Sequence, residues 1–199
     1  MNVGQIKNLA LKLMDEYTLS GVPETGQLTL DYTNKMNSFI DMAQQEITDH
    51  VGIYAFTTID TVATTAVMSA NGYNFYALPT DMKDFRYCVV DNWPNHFNDF
   101  EVEIGMFKIN TAYNNSQFVL HYFKYPEMIT DATPDDTELE VDLYTQYAIP
   151  YYVAGMCLAS ASEDLQLSDK LMTVWSTKLN GMTKREIRYP RRAREVVWF

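Results

Sequence analysis

Apolar positions recur first at helical spacing, then at strand spacing, then at helical spacing again. Ile6, Leu9, Ala10, Leu13, Met14 and Tyr17 fall on one helical face and predict a helix over 4–18. Gly21 and Pro23 end it. Met36, Phe39, Ile40, Ala43 and Ile47 form the stripe of a second helix over 31–50, with Asp31 placed to accept from its first-turn N–H groups. From 51 the period changes. Runs rich in Thr, Val, Ile, Tyr and Phe predict strands at 52–59, 62–69, 73–78, 84–91, 100–110 and 117–125. Asn71-Gly72 suits the positive φ angles of a type I′ hairpin turn. Tyr113-Asn114-Asn115-Ser116 reads as a second hairpin turn. In 117–123 both faces are apolar, Phe118, Leu120 and Tyr122 against Val119, His121 and Phe123, which predicts cover on both sides.

Residues 127–142 hold seven acidic side chains and no basic ones, and read as a solvated connection. Helix returns over 143–162, with Asp142 as its cap. It is apolar nearly all round, so it is expected to be buried on several sides, and Pro150 predicts a kink or a restart. Ala154, Gly155, Ala159 and Ala161 permit close helix approach. Leu171, Met172, Trp175 and Leu179 mark a last helix over 168–180, capped by Ser168 and stopped by Asn180-Gly181 in a left-handed turn. The expected fold is α+β: a four-helix bundle with an antiparallel β insertion and an extended C-terminal tail. Its segments are a helical pair at 1–50, β-rich residues at 51–126, a second helical pair at 127–183 and the tail at 184–199.

Charge sharpens this picture. The formal net charge is −11, yet residues 184–199 carry +4 and residues 1–183 carry −15. An acidic body with a basic segment ending in Val196-Val197-Trp198-Phe199 points to docking on an acidic protein partner, with the aromatic residues as buried anchors; the other readings of this segment are phosphate contacts to nucleic acid and a disordered, solubilising end. Cys88 and Cys157 are too few for a disulfide framework and read as buried apolar thiols. No secretory leader and no membrane span is expected, and synthesis in a reducing cytoplasm follows.

Catalytic signatures are absent from the sequence. Its eight glycines are scattered rather than gathered in a phosphate loop, and His50, His96 and His121 have no partner at metal-ligand spacing. No enzyme activity, metal or cofactor is expected. The acidic residues Asp131, Asp135, Asp136 and Glu138 lack the spacing of a calcium loop. They read as solvated, or as channel-facing charge that repels DNA phosphate. Tyr144, Tyr147, Tyr151 and Tyr152 read as core or subunit interface.

Four pieces carry a resemblance. They are Leu78-Pro79-Thr80-Asp81, the strand end Tyr122-Phe123-Lys124-Tyr125-Pro126, the acidic run leading to Ile149-Pro150-Tyr151-Tyr152-Val153-Ala154-Gly155, and the last helix with its basic tail. Together they resemble the head–tail adaptor (connector, or neck) proteins of tailed bacteriophages, and in order of elements the tail tubular protein A-like adaptors of short-tailed phages. The resemblance implies a virion protein made in the host bacterial cytoplasm and assembled as a ring, usually of twelve copies, beneath the portal protein. Packaged DNA passes through such a ring without specific binding, and the far side takes a downstream tail or stopper protein. It also implies that Arg188, Tyr189, Arg191, Arg192, Arg194, Trp198 and Phe199 contact the portal. The alternatives are a tail terminator or stopper ring, a nucleic-acid-binding module using the tail arginines, and a small hydrolase.

Overall fold

The structure is a computed structural model that describes residues 1–15, 23–91, 99–103 and 105–182, together with the backbone of 96 and 97. Two compact units divide the chain: a helical unit of residues 1–53 and 126–182, and a β unit of residues 54–125.

In the helical unit, α1 (Val3–Leu13) opens on a capping box. Asn2 Oδ1 accepts from Gln5 N at 2.8 Å, and Gln5 Oε1 accepts from Asn2 N at 3.1 Å. The helix stops short of the predicted 18, with Asp15 at φ 62° just beyond it; Tyr17 and Gly21 lie outside the described residues. Helix α2 (Gln27–His50) starts a turn earlier than Asp31, with Gly26 as N-cap. Its stripe extends back to Tyr32, which is 1% exposed and donates to Glu163 Oε2 at 3.1 Å. Pro150 produces the restart: α3 (Leu143–Gln146) ends, and α4 (Ile149–Ala161) begins with the proline in its first turn, where no N–H is missed. Asp142 does cap α3, accepting from Tyr144 N at 2.9 Å. Helix α4 is buried at Ile149, Tyr152, Val153, Ala154, Cys157 and Leu158, and packs on α1, α2 and α5 (Leu165–Asn180). At Gly155 an added Cβ would meet Met172 Cγ and Sδ at 2.9 Å, which is why α4 and α5 approach so closely there.

Two capping expectations are corrected. Asp164 caps α5, accepting from Leu167 N at 3.0 Å, while Ser168 is buried and donates across to Gly155 O at 2.9 Å. Gly181 takes φ −78°, an ordinary right-handed angle, so no left-handed stop forms.

The β unit contains β1 (Ile53–Asp60), β2 (Met68–Ala70), β3 (Tyr73–Ala77), β4 (Met82–Val90), β5 (His96–Phe97), β6 (Phe100–Glu103), β7 (Met106–Asn110) and β8 (Gln117–Lys124). They form two four-stranded sheets, ordered β1-β8-β4-β5 and β2-β3-β7-β6. The sheets share one core: Ile59, Cys88, Phe118 and Leu120 from the first meet Tyr76, Phe107 and Ile109 from the second. A four-helix bundle carrying a β insertion is therefore the wrong description. Alternation buries one face of each sheet, so each needs the other, and the strands build a unit with its own core. The helices close a second core around Ile6, Met36, Ile40, Ile149 and Val153.

Asn71 (φ 51°) and Gly72 (φ 79°) make the β2–β3 turn as expected, pairing Ala70 with Tyr73. The predicted strand 100–110 is instead the hairpin β6–β7, turned at Gly105 with φ 76°. Tyr113–Ser116 is no hairpin turn. A short 3₁₀ helix (Thr111–Tyr113) leads there from β7 to β8, which belong to different sheets.

Candidate interaction surfaces

The acidic connection is tied down. Asp135 O accepts from Gly4 N at 2.8 Å, its carboxylate meets Lys7 Nζ at 2.7 Å, and Thr137 O accepts from Val3 N at 3.0 Å. Glu138 bridges to Asn2 in antiparallel fashion. From the other side, α2 holds the backbone of 127–130: Gln44 Nε2 donates to Glu127 O at 2.6 Å, Asn37 Nδ2 to Thr130 O at 2.7 Å, and Asp41 Oδ1 accepts from Ile129 N at 2.8 Å. The side chains of Asp131, Asp136 and Glu138 remain exposed. The segment is thus an ordered strap with an acidic outer surface. Gln44 is 1% exposed, so Gln44→Leu leaves the Glu127 carbonyl without its donor. The expected loss is about 1–3 kcal/mol by urea unfolding, and a neutral result would show that the strap is not held there.

Pro150 separates the tyrosine run into two roles. Tyr152 is core, 5.0 Å from Trp175 between ring centroids, and burial raises the pKa of its hydroxyl. Tyr151 is half-buried beneath Lys178, whose Nζ lies 5.2 Å from the ring centroid. Tyr144 and Tyr147 are 78% and 54% exposed. With Ala148, Thr177, Lys178, Gly181 and Met182 they line a groove of about 290 Å³. His50 Nε2 lies 3.2 Å from Met182 O, fixing the chain where the described part ends. Amphipathic surface with two tyrosines and a lysine suits protein docking, because each tyrosine offers apolar area and a polar tip.

The two motif pieces in the β unit are clasped together. Asp81 O accepts from Tyr125 N at 2.7 Å, Asp81 Oδ1 accepts from Tyr122 Oη at 3.3 Å, and Met82 pairs with Lys124. Burial and the nearby Asp81 carboxylate raise the Tyr122 pKa. Leu-Pro-Thr-Asp and Tyr-Phe-Lys-Tyr-Pro are thus one structural joint. No protein-family model matches the chain, and no curated protein matches it.

Sequence reading alone misses an aromatic cluster on the outer face of the first sheet. Tyr87 and His121 pair across β4 and β8, their rings stacked at 4.2 Å. Tyr54 of β1 stacks on His121 at 5.8 Å and hydrogen-bonds its Nδ1; Phe56 lies 6.1 Å from the same ring. Burial, then the Tyr87 hydroxyl, raises the Tyr54 pKa. The expected cover on both faces of 117–123 is also corrected: Phe118, Leu120, Tyr122 and Phe123 are buried, while Val119 and His121 are only half-buried. The one hint in the sequence is the exposed alternation Tyr54, Phe56, Thr58; the cluster itself depends on register among three strands.

Among the described residues, no three His, Cys, Asp or Glu side chains gather as a metal would require. His50 and His121 are engaged as described, and His96 lies on β5. No described helix is long and apolar enough to cross a membrane. Arg188, Tyr189, Arg191, Arg192, Arg194, Trp198 and Phe199 lie outside the described residues.

Cys88 and Cys157 are both free and 0% exposed, and burial pushes each thiol from 9.0 up to about 12. Their protonated state favours the fold fully below pH 9.0, and that stability is lost as pH rises from 9.0 through about 12. Stability is expected to fall across that window, with a shallower fall in Cys88→Ala than in the parent. Denaturant titrations at each pH test this; equal slopes would show that the thiol does not drive the loss.

Proposed function

We propose that this chain is a non-enzymatic structural protein of a tailed-phage virion, a head–tail adaptor that forms a ring beneath the portal. It extends the DNA conduit and offers its far side to a tail or stopper protein. The clasp between Leu78-Pro79-Thr80-Asp81 and Tyr122–Pro126 carries this reading. Two of the sequence pieces that resemble head–tail adaptors meet in one joint, which supports treating them as parts of a single architecture. The exposed Tyr144–Tyr147 groove supports it too, since its lining includes Met182, two positions before Lys184 in the sequence.

In this reading the mechanism is assembly. Arginines of 184–199 meet acidic groups on the portal, Trp198 and Phe199 anchor the contact, and repetition around the ring turns weak contacts into a strong one. The exposed carboxylates of Asp131, Asp136 and Glu138 keep DNA moving by repelling its phosphates where they line the channel. Co-sedimentation of the full chain with its own phage's portal assembly is the test. Saturable binding is expected. A chain that stays in the supernatant at every ratio would contradict the proposal and favour a stopper, terminator or DNA-binding role.

A further inference from the structure

We infer that the open edge of β1, with the apolar residues around it, is a contact surface for a second copy of this chain. The inference deepens the ring reading above by naming which surface joins neighbouring subunits.

Among the described residues β1 is the last strand of its sheet and pairs on one side only, with β8. It is eight residues long and reads Ile-Tyr-Ala-Phe-Thr-Thr-Ile-Asp. Exposed edge strands are normally protected from pairing by a lysine, a proline, a bulge or shortness. β1 has no lysine or proline, and at eight residues it is not short. Its exposed positions are Tyr54, Phe56 and Thr58, and Phe56 is 65% exposed. The chain that follows adds Val62 at 73%, Val67 at 59% and Met68 at 47%. Three of the large exposed apolar residues, Tyr54, Phe56 and Val62, therefore lie on β1 or in the turn directly after it, whereas Val67 and Met68 lead into β2 of the other sheet.

Charge selects the occupant. The chain carries −11, so two copies repel each other over most of their surfaces. Residues 51–80 are a long stretch with almost no charge: in these thirty residues Asp60 is the only charged side chain. Its carboxylate is turned inward to its own chain, accepting from Val62 N at 2.9 Å and Ala63 N at 3.3 Å. A partner of opposite charge would gain nothing here. A second acidic copy can approach through this neutral stretch without setting like charges against each other. Backbone N–H and C=O groups along β1 give the contact its direction, and Tyr54, Phe56 and Val62 give it buried area.

Sedimentation velocity of the full chain, alone and with the portal present, at low and high salt, tests this. Self-association is expected to strengthen with salt, because screening removes repulsion and leaves the apolar contact intact. Phe56→Lys and Val62→Lys should each weaken it roughly 30-fold or more. Both positions are exposed, so circular dichroism and melting should match the parent. Amide exchange in β1 should slow on association in the parent and not in the variants. If the parent associates and both variants associate equally well, or if salt weakens the association, this surface is wrong and the ring reading stands. If the parent stays monomeric both alone and with the portal, the surface and the ring reading fall together.

Discussion

Replacing Phe107 by alanine is expected to cost about 3–5 kcal/mol, a large part of the stability of an ordinary domain. Phe107 is 0% exposed at the centre of the β unit, 5.4 Å from Phe100 and 5.5 Å from Phe118 between ring centroids. Phe100 and Phe107 belong to one sheet and Phe118 to the other, so the ring fills the space between the sheets. Removing it leaves a cavity that neither sheet can close alone. Amide exchange should rise chiefly in β3, β4, β7 and β8, with α4 less affected because its core holds none of these side chains. A loss below about 1 kcal/mol would mean that the sheets do not depend on each other.

The second large effect is functional. A chain ended after Thr183 keeps every described residue and is expected to melt with the parent. On the proposed reading it loses portal binding by roughly 100-fold or more, because the arginines and both aromatic anchors go together and the loss is repeated in every subunit. Substituting only Trp198 and Phe199 by alanine should recover part of that loss, while retaining the salt dependence that the arginines supply. Equal binding by the shortened chain would leave the adaptor reading in place and move the portal contact to another surface, with the Tyr144–Tyr147 groove next in line.

Legibility in the sequence followed the range of the interactions involved. The stripe of α2, the Asn71-Gly72 turn, the restart at Pro150 and the burial of α4 on several sides rest on neighbours a few positions apart and were readable; in α1 the stripe was only partly so, since Leu9 is 38% exposed and Leu11 is buried. What failed depends on distant pairing. The turn signal at 113–116 is real, but whether it closes a hairpin depends on which sheet each flanking strand joins. Gly105 breaks an apparently continuous strand because its φ of 76° turns the chain back, and nothing in Val-Glu-Ile-Gly-Met fixes that angle in advance. The bundle expectation failed because helical stripes are conspicuous, whereas two facing sheets announce their shared core only once Phe107 is seen against Phe118.

The candidate surfaces divide in the same way. The tyrosine run was visible, but its separation into core Tyr152 and exposed Tyr144 and Tyr147 follows from the helix restart. Asp135 looked like its acidic neighbours until its backbone and carboxylate were found on α1. The Tyr54–Tyr87–His121 cluster joins positions 33 to 67 residues apart and has no local signature.

Negative-stain imaging tests the proposed ring beneath the portal. On the proposed reading, the full chain is mixed in excess with purified portal assemblies from the phage proposed to carry it and viewed by negative stain. An added, coaxial ring on one end of each portal, at one copy per portal subunit, is expected. Portals that remain bare while the added chain stays folded would contradict it.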